Sequence, residues 1–174
     1  YSAKNGGRGQ YRFYSDDLKD EEAERQELVD ELRTALADDL LDVHYQPVVR
    51  VTDNMVVSCE ALVRWDHPER GAIHPGTFIP VAEEYNLVNA LGEWVLRRAC
   101  ADAMAWPHQL RVAVNVSAVQ FAEQGFVEMV ARALDDSGLA PDRLELELTE
   151  SVFLNDSEAT EQLFRELKKP GVTL

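Results

Sequence analysis

Cysteine, basic charge, long apolar runs and glycine-rich phosphate loops are all scarce in this sequence of 174 residues. Each shortage excludes something. Only Cys59 and Cys100 are present; they lack metal-ligand spacing and both fall on faces that read as apolar, so reduced core thiols are expected rather than a disulfide or a zinc site. Lys and Arg number 17 against 32 Asp and Glu, a formal charge of −15. That balance argues against broad binding to DNA, RNA or an anionic membrane, but not against a small anionic ligand held through metal ions. No apolar stretch approaches the roughly 20 residues of a membrane span and no signal peptide is evident, so a soluble, cytoplasmic segment is expected, whose parent can be membrane-tethered elsewhere. No GxGxxG or GxxxxGK turn follows any strand-like run, which weakens an open nucleotide-binding sheet.

What is there, 45% of it hydrophobic, suffices for one substantial core. The stretch SCEALVRW, residues 58 to 65, organises it. Read as a strand, it sends Cys59, Ala61, Val63 and Trp65 to one face and Ser58, Glu60, Leu62 and Arg64 to the other. A carboxylate in mid-strand is costly to bury unless a cation or an Arg pairs with it, so Glu60 asks for a partner.

Upstream, YSAKNGGRGQYRFY reads as a glycine turn and a short strand, the tail of something that precedes. A helix follows, capped by Ser15 or Asp16, with Leu28, Leu32, Leu36 and Leu40 as its apolar stripe. Its run of Glu21, Glu22, Glu24, Arg25 and Glu27 is either a solvated face or a connector that carries a signal between domains. VHYQPVVRV and MVVSCEALVRW, separated by Thr52, Asp53 and Asn54, form an antiparallel hairpin, with Pro47 at an edge or a bulge. HPERGAIHPGTF reads as loop; helices follow around Ile79 to Glu84 and from Val88 to Trp106. Then come the strand LRVAVNV, a helix from Phe126 to Ser137 stopped by Gly138, the strand RLELELTE, a helix from Ser157 to Lys168, and an extended Val172 to Leu174.

Strands alternating with crossover-length helices should be parallel, in an open doubly wound sheet or a barrel. Glu60, Asn115 and Glu147 repeat one pattern on three strands: polar groups opposite an apolar face, near the C-terminal ends. That favours a partial TIM-like (β/α) barrel with an N-terminal antiparallel hairpin strand, holding three or four of about eight strands. All three residues are oxygen donors, which a hard cation such as Mg²⁺ or Mn²⁺ prefers, and converging carboxylates would otherwise repel. Each also has a plainer reading: Glu147 as a solvated strand face, Asn115 as a turn former, Glu60 as an ion-pair partner of Arg64. His44, His67, His74 and His108 add no ligand set, and no nucleophile triad can be assembled.

YQPVV, CEALVRWDHP, FIPVAEE, LGEWVL, VNVS with QF soon after, and LELELTES come in the order and approximate spacing of the EAL-domain cyclic di-GMP phosphodiesterases. The resemblance covers the N-terminal part of that domain, residues 38 to 174. Residues 1 to 14 resemble the end of a GGDEF diguanylate cyclase domain, which leaves 15 to 37 as a connecting helix. The family resemblance implies a TIM-like barrel with one antiparallel strand, a metal site at Glu60, Asn115 and Glu147, and catalytic roles for Glu60, Glu147 and Glu150, the last bracing a catalytic loop. Arg64 matches a residue that contacts substrate phosphate, and Gln46 one near the bound nucleotide. Two Mg²⁺ or Mn²⁺ ions would activate water to open cyclic di-GMP, a bacterial second messenger, to pGpG. Pairing of barrels into a homodimer is also implied for the parent.

The family's metal-bridging Asp-Asp pair, its lysine and a later glutamate are not among these residues, so the isolated segment is expected to be inactive. The competing expectation is a degenerate EAL module that binds cyclic di-GMP or a protein partner without hydrolysis. An unrelated Mg²⁺-dependent barrel enzyme is a third, if the motif string is set aside.

Overall fold

The computed structural model describes residues 16–107, 110–148, 152 and 158–174. The expected tail over residues 1–14, the Ser15 cap, His108 and Glu150 lie outside them. The chain runs α1 (Asp16–Ala37), β1 (Leu41–Arg50), β2 (Met55–His67), β3 (Gly71–Ile73), α2 (Pro75–Glu84), α3 (Val88–Ala103), β4 (Arg111–Val116), α4 (Ala118–Phe121), α5 (Phe126–Ser137), β5 (Leu144–Leu148) and α6 (Glu158–Lys168). The sheet order is β1-β2-β4-β5, with β3 on β2. β1 and β2 are antiparallel, whereas β2, β4 and β5 are parallel. Thr173 adds a parallel bridge to Glu145, exchanging backbone hydrogen bonds with Leu144 and Leu146 at 3.0 and 2.9 Å. This is the strand–helix alternation of a partial TIM-like barrel, opened by one antiparallel hairpin.

The period-two pattern does the sorting. Ala61, Val63 and Trp65 of β2, Val112, Val114 and Val116 of β4, and Leu144 and Leu146 of β5 are buried against the helices. α3 covers them with Val88, Leu91, Val95, Leu96, Ala99, Cys100 and Ala103, and Trp65 meets Phe78 of α2 edge-on with ring centroids 5.5 Å apart. Cys100 is fully buried, which pushes its thiol up to about 12. Cys59 is only half-buried, opposite Pro47 near the end of the hairpin, so just one of the two thiols belongs to the core. Pro47 sits on the edge strand, one residue before an irregularity between Val48 and Val49, where a missing N–H costs least.

Three local expectations are corrected. The stripe of α1 is Leu28, Val29, Leu32 and Ala35, with Leu36 partly buried against the core as expected, while Leu40 lies beyond the helix and is 54% exposed. Asp39 turns left-handed there at φ 56°, and the Leu40 N–H closes back on the Ala35 carbonyl at 2.9 Å, so the chain leaves the helical face before Leu40. Part of the expected loop is strand β3, which pairs Ile73 with Trp65. The turn into it is closed by His67, whose Nδ1 accepts from the Glu69 and Arg70 N–H groups at 3.2 Å each, and by Gly71 at φ 69°. α2 begins at Pro75, earlier than expected, because His74 Nδ1 caps the Gly76 N–H at 3.0 Å and Pro75 takes the first helical position. Among the described residues no helix is long and apolar enough to cross a membrane.

Candidate functional site

Glu60, Asn115 and Glu147 occupy the inner face of three adjacent strands. Glu60 pairs in register with Ala113 of β4, and Asn115, two residues further on, pairs with Glu147 of β5. Strand alternation therefore puts all three side chains on the side opposite the helix-packed rows. Asn115 Nδ2 donates to Glu60 Oε1 at 2.7 Å. This hydrogen bond leaves the Asn115 carbonyl oxygen available to a cation. Glu147 feels both neighbours: its carboxyl is held above the ordinary range by burial first, then by the negative charge of Glu60, then by that of Glu145. Glu145 itself is answered by Arg111, whose Nη1 lies 3.4 Å away.

Two carboxylates and an amide oxygen on one face of three adjacent strands are a donor set suited to a hard dication. Among the described residues no group of three His, Cys, Asp or Glu is placed to hold a metal, because the third member here is the amide of Asn115. Glu60 makes no ion pair with Arg64; that guanidinium instead donates from Nη1 to the Val63 carbonyl at 2.9 Å. Gln46 stands directly opposite Glu60 across the β1–β2 ladder, exposed on the inner face.

Asn115 also borders a cavity of about 310 Å³, walled by Leu62, Pro75, Ile79 and Leu91, with Arg64, Glu83 and Asn115 among its polar groups; neither Glu60 nor Glu147 lines it. Sequence reasoning missed it, since its walls come from β2, β4, α2 and α3. A larger hollow of about 690 Å³ between α1 and α3 shares no lining residue with that cavity. Its arginines Arg33, Arg97 and Arg98 are each already paired, with Asp30, Asp136 and Asp102.

Residues 29–174 match the EAL domain family over most of the chain. The chain belongs to that family. Relatives of this EAL chain include an uncharacterized signaling protein of Caulobacter vibrioides, 50% identical over 174 residues, which are all of this chain and 22% of that protein. The bifunctional diguanylate cyclase/cyclic di-GMP phosphodiesterase MucR of Pseudomonas aeruginosa is 39% identical over 99% of this chain and 26% of its own length. The EAL chain thus spans about a quarter of the length of these relatives. The solved PaMucR phosphodiesterase, in complex with c-di-GMP, matches with a TM-score of 0.80 and 41% identity over 84% of this chain and 61% of that one. The FimX EAL domain of Xanthomonas citri, at 24% identity and a TM-score of 0.77 over 88% of this chain and 61% of that one, shares the fold.

Proposed function

We propose that the EAL chain supplies the N-terminal half of a phosphodiesterase site that opens cyclic di-GMP to pGpG. One observation carries this reading: the inner-face trio of Glu60, Asn115 and Glu147, the first two joined by a 2.7 Å hydrogen bond and the third in register with Asn115 on the next strand. Likeness to the PaMucR phosphodiesterase supports the choice of substrate. Glu60, Asn115 and Glu147 would hold Mg²⁺ or Mn²⁺, two such ions in a complete domain, and these would supply the charge that neutralises a phosphodiester and acidifies water. Arg64, at the mouth of the cavity, releases the Val63 carbonyl to take a substrate phosphate bidentately. The cavity wall of Leu62, Pro75 and Ile79 receives a planar base, and Gln46 reaches the nucleotide from the facing strand. Glu150 braces the catalytic loop.

The same proposal keeps residues 1–14 as the end of a cyclase domain, 15–37 as connector and 38–174 as EAL portion. It also includes cytoplasmic action and pairing of barrels into a homodimer in the full-length protein. The described strands form an open sheet with β1 at its edge, so substrate would be held from one side only and turnover by this segment is expected to be negligible. The test is hydrolysis of cyclic di-GMP with Mn²⁺ by the full-length protein and by its Glu60→Gln variant. Production of pGpG that disappears in the variant supports the reading; tight binding without hydrolysis supports the degenerate binding module instead.

A further inference from the structure

The charged face of α1 is exposed but not without partners. Its first described turns, Glu22 to Glu27, bury no apolar side chain, yet each side reaches a partner far along the sequence. Tyr85 donates its hydroxyl to Glu22 at 3.1 Å, Arg25 meets Glu84 at 2.7 Å, and Arg70 grips Glu27. One turn on, Arg70 Nε lies 2.9 Å from Glu31, poorly aligned for a hydrogen bond but well placed as an ion pair, and His67 Nε2 stands 3.6 Å from the other Glu31 oxygen. From Leu28 onward the helix is instead anchored by Leu28, Val29, Leu32 and Ala35, all in the core. α1 is therefore fastened in two ways: apolar burial along its second half, and polar contacts over residues 22–27.

We infer that the stretch Glu22–Glu27 of α1 is a releasable clamp on the turn between β2 and β3 and on the end of α2, through which events upstream of the helix alter ligand binding at the inner-face site. Releasing Glu22–Glu27 exposes no hydrophobic surface, so the cost is confined to solvent-screened contacts that water replaces readily. The anchored second half keeps the helix in place meanwhile. Arg70 joins the two halves, since it touches both Glu27 and Glu31. The clamp bears on the outer face of β2, where Trp65 packs edge-on against both Phe78 and His67. Arg64 lies between Val63 and Trp65 on the opposite, inner face of the same strand, and also lines the cavity. A strand held less firmly on its outer face holds its inner-face side chains less firmly too, which is the physical content of the coupling.

The ligand effect rests on the phosphodiesterase reading, whereas the clamp itself does not. The experiment is hydrogen exchange on the full-length protein, wild type, Arg70→Gln and Glu31→Gln, paired with titration of cyclic di-GMP in Ca²⁺ to suppress turnover. Exchange in both variants is expected to rise together at residues 22–27 and 65–71, and affinity for cyclic di-GMP to change by roughly two- to tenfold. Arg33→Gln, whose partner Asp30 is on α1 itself, is expected to move neither. Faster exchange at 22–27 with none at 65–71, or no change at either, overturns the clamp. Coupled exchange with unchanged cyclic di-GMP affinity overturns its link to the site. A wild type that does not bind cyclic di-GMP overturns the functional reading, and the exchange data then decide the clamp alone.

Discussion

Asn115 and Glu60, on neighbouring parallel strands and 55 residues apart in sequence, are joined by a hydrogen bond of 2.7 Å from the amide nitrogen to the carboxylate. The bond orients both groups: it fixes which carboxylate oxygen is engaged and turns the amide oxygen outward. Asn115→Ala removes one oxygen donor and leaves Glu60 without its orienting partner. Affinity of the full-length protein for Mn²⁺ is expected to fall about 10- to 100-fold, and hydrolysis with it. Calorimetric titration of Mn²⁺ checks this, and an unchanged affinity would remove Asn115 from the metal set.

Glu147 gives a pH dependence of definite sign. Its folded-state carboxyl is raised above the ordinary glutamate value, by burial first and then by Glu60 and Glu145. A raised group binds more protons folded than unfolded, so its contribution is fully present below the unfolded pKa and is lost as pH rises through the folded one. Metal-free protein should therefore gain stability from this group as pH is lowered from neutrality toward the glutamate range. Glu147→Gln should flatten that gain and stabilise the metal-free form at pH 7, by well under about 1 kcal/mol because the carboxylate stays partly in solvent. Thermal melts at pH 5 and 7 in EDTA, with and without the substitution, measure it; a larger pH response in the variant contradicts the assignment.

Gly92 and Gln120 supply a packing test. A Cβ on Gly92 would come within 1.6 Å of Gln120 Nε2. Gln120 cannot simply swing away, since it is buried and its Oε1 and backbone N–H complete a reciprocal cap with Ser117 at 3.2 and 3.3 Å. Gly92→Ala gains up to about 1 kcal/mol of helix propensity, but displaces that amide and breaks the cap at a cost of about 1–3 kcal/mol. A net loss is expected in urea unfolding. In a Gln120→Ala background the clash is gone, and the same Gly92→Ala should become neutral or stabilising. Additive effects in that double-mutant cycle would show that the two residues do not meet.

Tyr45 ties β1 to α3. Its hydroxyl donates to Asp102 at 2.8 Å, Arg98 Nε meets the same oxygen at 3.0 Å, and Trp106 packs edge-on at 4.8 Å. Burial, then the Asp102 hydrogen bond, raises the phenol above its usual range. Tyr45→Phe should cost about 0.5–1.5 kcal/mol by chemical denaturation. In wild type the Tyr45 contribution is present below the ordinary tyrosine pKa and fades above it, so the difference between the two proteins should shrink as pH rises past 10. A constant difference up to alkaline unfolding would place the effect in packing rather than in the proton.

Much of this was legible without coordinates. The alternation in SCEALVRW and LELEL names the inner and outer faces directly, because a strand has no other way to place successive side chains. Gly138 marks the end of α5 for an equally local reason, a left-handed residue at φ 74°. The three-residue β3 was read as loop because it is too short to show a period and exists only by borrowing the edge of β2. The acidic run of α1 was open between solvated face and connector, since the groups that answer it, Arg70, Glu84 and Tyr85, lie 43 to 63 residues away.

By itself the sequence determined the strand faces, the parallel strand–helix order, and the oxygen-donor character of the residues that line the inner side. These depend on residue type and on spacing along a single element. Tertiary structure alone decided that Glu60 takes Asn115 rather than Arg64 as its partner, that a cavity opens between Arg64 and Asn115, and that α1 meets Arg70, Glu84 and Tyr85. Each is a meeting of groups from different elements, and such meetings follow from register and helix docking, which sum many weak contacts over the whole fold and leave no mark at any one position.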